Sequence, residues 1–141
     1  MFQDMGEVPP RLFEPFRAKA GPRIEEMLSC GQYVGCLASF EETPDIIIGG
    51  AGVQLNDIPP RPVSQTGEVR IADGRQGIII NVFTEPEWRR RGVAALLMKR
   101  IIDCSRENNL DRLILHASGE GRALYERLGF VASNEMRFVD E

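Results

Sequence analysis

The sequence is short of the residues that most often bind metals or act as nucleophiles. It has three cysteines, at positions 30, 36 and 104, and His116 is its only histidine. Without a CxxC pair or a second histidine, we expect no zinc site and no other metal site. A Ser–His–Asp or Cys–His nucleophile would need His116 itself as its base. The odd, widely spaced cysteines suit a reducing compartment, so we predict a cytoplasmic location.

Long apolar runs and net positive charge are also missing. No run of about 18 apolar residues occurs, so we expect no transmembrane helix. Residues 1–7 lack the basic segment and apolar run of a secretory signal. The formal net charge of −4 argues against nucleic acid or an anionic membrane as the main partner. The length of 141 residues predicts a single domain over residues 1–141.

Hydrophobic patterning and turn residues predict an α/β domain with a mixed sheet and helices on both faces. Pro22 cannot continue a helix without disrupting it, so the first helical region is divided there. The glycines at positions 49, 50 and 52 favour a bulge in the second strand. The predicted elements are a helix ending near Ala20, a helix from Pro22 to about Leu28, strands Gln32–Phe40 and Asp45–Leu55, a loop Asn56–Gly67, a strand Gly77–Phe83, a helix Val93–Asn108, a strand Leu113–Leu115, a helix Gly119–Leu128 closed by Gly129, and a last pair of short strands within Phe130–Val139.

The segment that carries chemistry joins the strand Gly77–Phe83 to the helix that begins at Val93. The strand is almost wholly apolar and β-branched, as in a strand buried on both faces at the centre of a sheet. The first N–H groups of a helix have no internal partners and lie at the positive end of its dipole, so they can bind pyrophosphate. Gly92 lets backbone approach the phosphates, and the arginines at 89, 90 and 91 add positive charge. The same arginines could equally form a solvated turn, and neither a Walker A loop nor a GxGxxG fingerprint is present.

Two motifs in this half of the chain resemble the GNAT superfamily of acyl-CoA N-acyltransferases. The family signature [Q/R]-x-x-G-x-[G/A] is matched by Arg89, Gly92 and Ala94, with Pro86 at the family's proline position. A second signature, L-Y-E-x-L-G-F, is matched by residues 124–130. The resemblance is clearest from Gly77 to Phe138, and the predicted hairpin fits the family's second and third strands.

The resemblance implies a three-layer α/β/α fold whose mixed, mostly antiparallel sheet splays at a cofactor slot. It implies an acetyl-CoA-dependent N-acetyltransferase without a metal, in which an amine attacks the acetyl group directly in a ternary complex. The backbone at Val82, Phe83 and Thr84 would hold the pantetheine arm. The pyrophosphate would bind the amides of the loop and first helical turn, and Ser118 would contact the cofactor where many members have asparagine. The loop residues implied are Arg89, Arg90, Arg91, Gly92, Val93, Ala94 and Ala95.

Tyr125 matches the family tyrosine that often protonates the departing thiolate. A phenol with a pKa of about 10 is protonated at neutral pH and can donate its proton to sulfur. A tyrosine that only packs its ring under the helix is the alternative. The general base is not fixed by the sequence, and Glu68, Glu85, His116 and water relays are its candidates.

The sequence departs from the family at its start, because the usual first strand has no counterpart before Pro10. We expect either a truncated or misassigned start, or an exposed edge at the strand Gln32–Phe40 that a second subunit completes, giving a homodimer.

Two other functional classes compete with the acetyltransferase, whose acceptor would be a small-molecule or peptide amine. A non-catalytic CoA-binding sensor or partner module would keep the cofactor motif and lack turnover. A nucleic-acid binder using the arginines at 89–91 would show salt-dependent binding, but the acidic net charge disfavours it.

Overall fold

The structure is a computed structural model that describes residues 9–140. Its elements are helix α1 (Phe13–Ser29), strands β1 (Tyr33–Phe40), β2 (Thr43–Asp57), β3 (Arg61–Gln65), β4 (Glu68–Ala72) and β5 (Arg75–Thr84), helix α2 (Val93–Glu107), strand β6 (Arg112–Leu115) and helix α3 (Arg122–Arg127). Short 3₁₀ turns occupy Pro10–Leu12 and Pro86–Trp88. The prediction that a first strand is missing falls mainly on residues 1–8, which lie outside the described residues. Among residues 9–140, no helix is long and apolar enough to cross a membrane.

The main sheet has four strands in the order β1-β2-β5-β6. The pairs β1–β2 and β2–β5 are antiparallel, and β5–β6 is parallel. This confirms the predicted α/β class with a mixed, mostly antiparallel sheet, and it confirms β5 as an inner strand. Within the described residues no strand covers the outer edge of β1. Completion of that edge by a second subunit stays a prediction.

The predicted division of the first helical region is wrong, because α1 runs unbroken through Pro22. The proline removes the N–H that would bond the carbonyl of Ala18. Most of α1 is exposed, and its single buried residue is Met27. The carbonyl without an intrahelical partner can therefore be solvated, which lets the helix continue.

The predicted loop at 56–67 is also wrong over half its length, since β3 and β4 form a separate two-stranded hairpin. Its turn consists of Thr66 and Gly67, both with positive φ, of 52° and 82°. Such a two-residue turn matches the twist of paired strands. Pro62 fits in β3 because a strand of a two-stranded sheet has an open edge where no N–H is needed. The prolines in this segment favoured the prediction of a loop instead of a hairpin.

The predicted last pair of strands is not formed, and the described residues after Gly129 contain no strand. Apolar side chains that a strand would bury are exposed instead: Val131 at 88%, Met136 at 94% and Phe138 at 87%. Since β-strands are stabilised by pairing and by burial of one face, this segment lacks both. Gly129 does close α3 as predicted: its φ is +102°, and the N–H of Phe130 bonds the carbonyl of Tyr125 at 3.0 Å.

The core lies between the sheet and α2. Its buried residues come from β2, β5 and α2: Ile48, Ala51, Val53, Ile79, Val93, Leu97, Met98 and Ile101. At Gly49 a Cβ would lie 2.9 Å from Val93 and 3.2 Å from Leu97, so the helix approaches the β2 backbone closely. On α2, Val93, Leu97 and Ile101 are buried, while Cys104 in the next turn is half-buried. This packing fixes where α2 begins relative to the end of β5.

Asp111 ties the β4–β5 turn to the start of β6. Its carboxylate accepts hydrogen bonds from the backbone N–H groups of Gly74 at 2.7 Å and Arg75 at 2.9 Å. Its own N–H donates to the carbonyl of Arg75 at 2.7 Å. The side chain of Arg70 lies 3.5 Å away. Burial acts to raise the pKa of Asp111, but these hydrogen bonds to the charged form outweigh it and lower the pKa.

We expect Asp111→Asn to lower the melting temperature at pH 7. A carboxyl group whose pKa is depressed in the folded state stabilises the fold above its unfolded pKa of about 3.9, and this contribution is lost as the pH falls through the folded pKa. The difference between wild type and variant should therefore shrink as the pH is lowered. Thermal denaturation across this pH range measures it. Asp103→Asn, at a carboxylate that is 60% exposed, is the control and should behave as wild type. A pH-independent deficit in Asp111→Asn would contradict the assignment.

Candidate active site

A slot opens where β6 parts from β5. The two strands pair only from Gln76 opposite Arg112 to Ile79 opposite Leu115. Beyond Ile79, β5 continues to Thr84 and no described strand pairs with it on that side. Its other side stays bonded to β2. The predicted pantetheine residues Val82, Phe83 and Thr84 lie in this half-paired stretch, where an extended ligand could bind the free backbone edge.

A bulge interrupts β5 at the mouth of the slot. Gly52 faces Ile80, but Gly50 faces Phe83, so β5 carries one extra residue there. Asn81 takes a left-handed conformation with φ of 59°. A bulge of this kind bends the strand and redirects the side chains that follow it. This irregularity of β5 faces the glycines of β2. The bulge predicted in the second strand is also present, because Ala38 faces Gly49 while Ser39 faces Ile47, so β2 carries one extra residue beside Gly49.

The loop between β5 and α2 presents backbone N–H groups at the start of the helix. Arg90 and Gly92 both have positive φ, of 62° and 84°. Gly92 is the N-cap of α2, and having no side chain it leaves the first-turn N–H groups of the helix available. The helix dipole adds partial positive charge at this point. The arrangement suits an anion with several oxygens, such as a pyrophosphate.

The arginines of this loop are held by specific contacts. Arg89 Nε donates to the carbonyl of Thr84 at 3.3 Å. The guanidinium of Arg91 lies 5.1 Å from the centre of the Trp88 ring, which in turn lies 5.2 Å from the ring of Phe40. Such cation–π contact orients a guanidinium without consuming all its donors. The predicted cofactor residues 89–95 thus follow the end of β5, with 89–92 on the loop and 93–95 in the first turn of α2.

Tyr125 lies on α3 and packs against the core that α2 shares with the sheet. Its ring meets Phe130 edge-to-face at 6.2 Å. Burial raises the pKa of Tyr125 above its ordinary value of 10.0. The phenol is therefore kept protonated, as a proton donor requires. A Cβ at position 121 would lie 2.8 Å from this ring, so a side chain there would displace the ring.

Tyr125 also borders a cavity of about 680 Å³ between the C-terminal half of α2, β6 and α3. This cavity does not contain the predicted cofactor residues on β5 or at the start of α2. The hydroxyl of Ser118 accepts a hydrogen bond from the N–H of Gly121 at 3.1 Å, before α3 begins. A cofactor contact by Ser118 stays a prediction.

The three base candidates lie in different surroundings. Glu68 begins β4 in the separate hairpin, and its side chain is exposed. Glu85 follows β5, is half-buried, and its N–H bonds the carbonyl of Ile48 at 2.8 Å. His116 directly follows β6, and its Nε2 lies 3.2 Å from a carboxylate oxygen of Glu135.

Sequence reasoning missed one polar pair at the bulge. Asn81 Nδ2 donates to the hydroxyl of Tyr33 at 3.2 Å, joining β5 to β1 across β2. The signal was present, because Asn81 is the one polar residue within the apolar run from Ile78 to Phe83.

Comparison with known proteins agrees with this geometry. A family model described as an acetyltransferase (GNAT) domain matches residues 64–141. A predicted acetyltransferase from Clostridium acetobutylicum, solved with acetyl-CoA, superposes with a TM-score of 0.78 at 26% identity, over 99% of this chain and 82% of that one. A GCN5-related N-acetyltransferase from Ralstonia eutropha JMP134 superposes with a TM-score of 0.80 at 22% identity, over 99% and 85% of the two chains, and shares the fold. A search of curated protein sequences gave no significant match.

The family model spans more than half of the chain, and its matched region contains the half-paired end of β5, the loop that starts α2, and α3 with Tyr125. On these grounds the chain belongs to the GNAT acetyltransferase family.

Proposed function

We propose that this chain is an acetyl-CoA-dependent N-acetyltransferase that moves the acetyl group to a primary amine. The observation that carries the proposal is the junction of β5 and α2. There, a strand edge with which no described strand pairs leads into a helix N-terminus whose glycine cap adds no side chain over its N–H donors. The similar protein from Clostridium acetobutylicum was solved with acetyl-CoA, which supports the same co-substrate here.

Each part of the site has one task in this proposal. The free edge of β5 at 82–84 binds the amide groups of the pantetheine arm as an added strand would. The backbone N–H groups from Arg90 to Ala95 bind the pyrophosphate. The neutral acceptor nitrogen attacks the thioester carbonyl and gives up one proton to solvent water. The C–S bond breaks, and the Tyr125 hydroxyl gives its proton to the departing sulfur. The tyrosinate then regains a proton from solvent.

The acceptor is an amine of a small molecule or a peptide, and we place the reaction in the cytoplasm. Cys30, Cys36 and Cys104 are all free thiols in the structure, which is compatible with a reducing compartment. A CoA-binding module without turnover would retain the binding loop but release no thiol. Thiol release in the presence of an amine therefore separates the two functions.

We expect Gly92→Glu to weaken acetyl-CoA binding by about a hundredfold. The substitution places a carboxylate where the pyrophosphate would lie, and like charges facing one another cost several kcal/mol, or about tenfold for each 1.4 kcal/mol. Calorimetric titration measures the change. Gly67→Glu is the matched control, since Gly67 has nearly the same φ, +82°, and equally open space for a side chain. Equal affinity for Gly92→Glu and wild type would show that the α2 N-terminus is not the cofactor site.

We expect Tyr125→Phe to lower kcat by about a hundredfold, the usual contribution of a general acid. Acetyl-CoA affinity and melting temperature should change little, because the ring and its contact with Phe130 are retained. Because the pKa of Tyr125 is raised, the protonated form persists at high pH and is lost only as the pH passes the raised value. Wild-type activity should therefore survive to about pH 10.

Phe130→Leu is the control for this experiment. It disturbs the ring packed against Tyr125 but keeps the hydroxyl, so it should retain most of the activity. If Phe130→Leu and Tyr125→Phe lower kcat equally, the role of Tyr125 is packing and not proton donation.

A further inference from the structure

The sheet has a second face, away from α2, which we call the open face. A Cβ at Gly49 would point at Val93 and Leu97 of α2, whereas a Cβ at Gly50 would point at Phe83 and Leu37. Successive residues of a strand face opposite sides, so Phe83 and Leu37 lie on the face opposite α2. The side chain of Leu37 is 69% exposed there. The open face therefore offers apolar surface next to the half-paired end of β5.

Tyr33 lies on the same face and crosses the sheet. Its ring lies over Gly35 and Gly52, and a Cβ at Gly52 would overlap the Tyr33 hydroxyl. This absence of side chains lets the hydroxyl reach Asn81 of β5, at 3.2 Å. The hydroxyl is thus positioned at the bulge, where β5 enters the slot. The glycines at 35 and 52 thus make room for the Tyr33 side chain, which places its hydroxyl beside Asn81.

The hydroxyl retains hydrogen-bonding capacity after its contact with Asn81. Asn81 donates one hydrogen bond and occupies one lone pair, which leaves the second lone pair and the hydroxyl proton. An amine N–H can donate to that lone pair. Tyr33 is half-buried, so such a bond would be made at the edge of the open face rather than in bulk water.

The four side chains that the contacts above place on this face carry no charge: Tyr33, Leu37 and Phe83 are apolar or aromatic, and the Asn81 amide is neutral. A second charged group on an acceptor would lose hydration against these four side chains without gaining an ion pair from them. An aliphatic or aromatic body would instead bury apolar area against Leu37 and Phe83.

We propose that the open face is the acceptor site, where the Tyr33 hydroxyl binds the amine and Leu37 and Phe83 receive an apolar body. The substrate class is then primary amines that carry an aliphatic or aromatic group and no second charge. This inference rests on the acetyltransferase function proposed above, and its tests separate the two.

The first test compares three acceptors by thiol release: 2-phenylethylamine, putrescine, which adds a second cation, and β-alanine, which adds a carboxylate. Wild type should use 2-phenylethylamine with a kcat/KM about tenfold or more above the other two. Leu37→Glu should lower this value for 2-phenylethylamine and raise it for putrescine. Val69→Glu is the matched control, since Val69 is 73% exposed in the separate hairpin, and it should leave the preference unchanged.

The second test is Tyr33→Phe, which removes only the hydroxyl. The KM for 2-phenylethylamine should rise by about tenfold, while the affinity for acetyl-CoA is unchanged. A purely structural role would instead lower the melting temperature and leave the KM of the amine unaltered.

The outcomes divide as follows. Failure of wild type to bind acetyl-CoA would overturn the proposed function itself. If wild type binds acetyl-CoA, three results would overturn the proposed acceptor site and leave the proposed cofactor site in place. They are a preference for putrescine or β-alanine, turnover of none of the three amines, and an unaltered preference in Leu37→Glu.

Discussion

The close contact between α2 and the glycine-bearing stretch of β2 is the constraint on which the site depends. Gly49 has no side chain, so Val93 and Leu97 come to rest against the strand backbone. Those two residues belong to the first and second turns of α2. Because Gly49 pairs with Thr84, their burial holds the N-terminus of the helix beside the end of β5. A bulkier residue at 49 would push the helix away from β2 and so separate the start of α2 from the end of β5, the two parts of the proposed cofactor site.

The same run of glycines serves the opposite face of the sheet. Gly50 and Gly52 leave room for Phe83, Leu37 and the hydroxyl of Tyr33. The extra residue in β5 lies opposite this run, and it turns Phe83 onto the open face while Val82 packs toward the core. One short segment of β2 thus lets a helix approach on one side and leaves room for Phe83, Leu37 and Tyr33 on the other. The bulge is stabilised locally by the Asn81 amide, whose hydrogen bond to Tyr33 links three strands.

The parting of β5 and β6 provides the remaining element. Asp111 fixes the start of β6 against the β4–β5 turn through backbone hydrogen bonds, which sets the parallel register over four residue pairs. Because β6 ends at Leu115, the upper part of β5 has no partner on that side within the described residues. A strand edge is normally a liability that invites pairing with another chain. Here it lies beside a helix N-terminus and is suited to an extended ligand.

The family, the fold class, the inner position of β5 and the start of α2 follow from local patterns in the sequence. An apolar β-branched run, a helical period and the residues Arg89, Gly92 and Ala94 are each visible without tertiary contacts. Four features needed the structure, because each depends on what surrounds a segment. The solvent around α1 lets it continue through Pro22, and the open edges of a two-stranded hairpin tolerate Pro62. The apolar residues after Gly129 are exposed and pair with no described strand. The glycines of β2 leave room for Tyr33 to reach Asn81 across that strand. The sequence by itself determined which backbone segment is proposed to bind an acyl-CoA, since that segment is contiguous in the chain. Only the tertiary structure decided which side chains share the open face, since they come from β1 and β5, two strands that are distant in sequence.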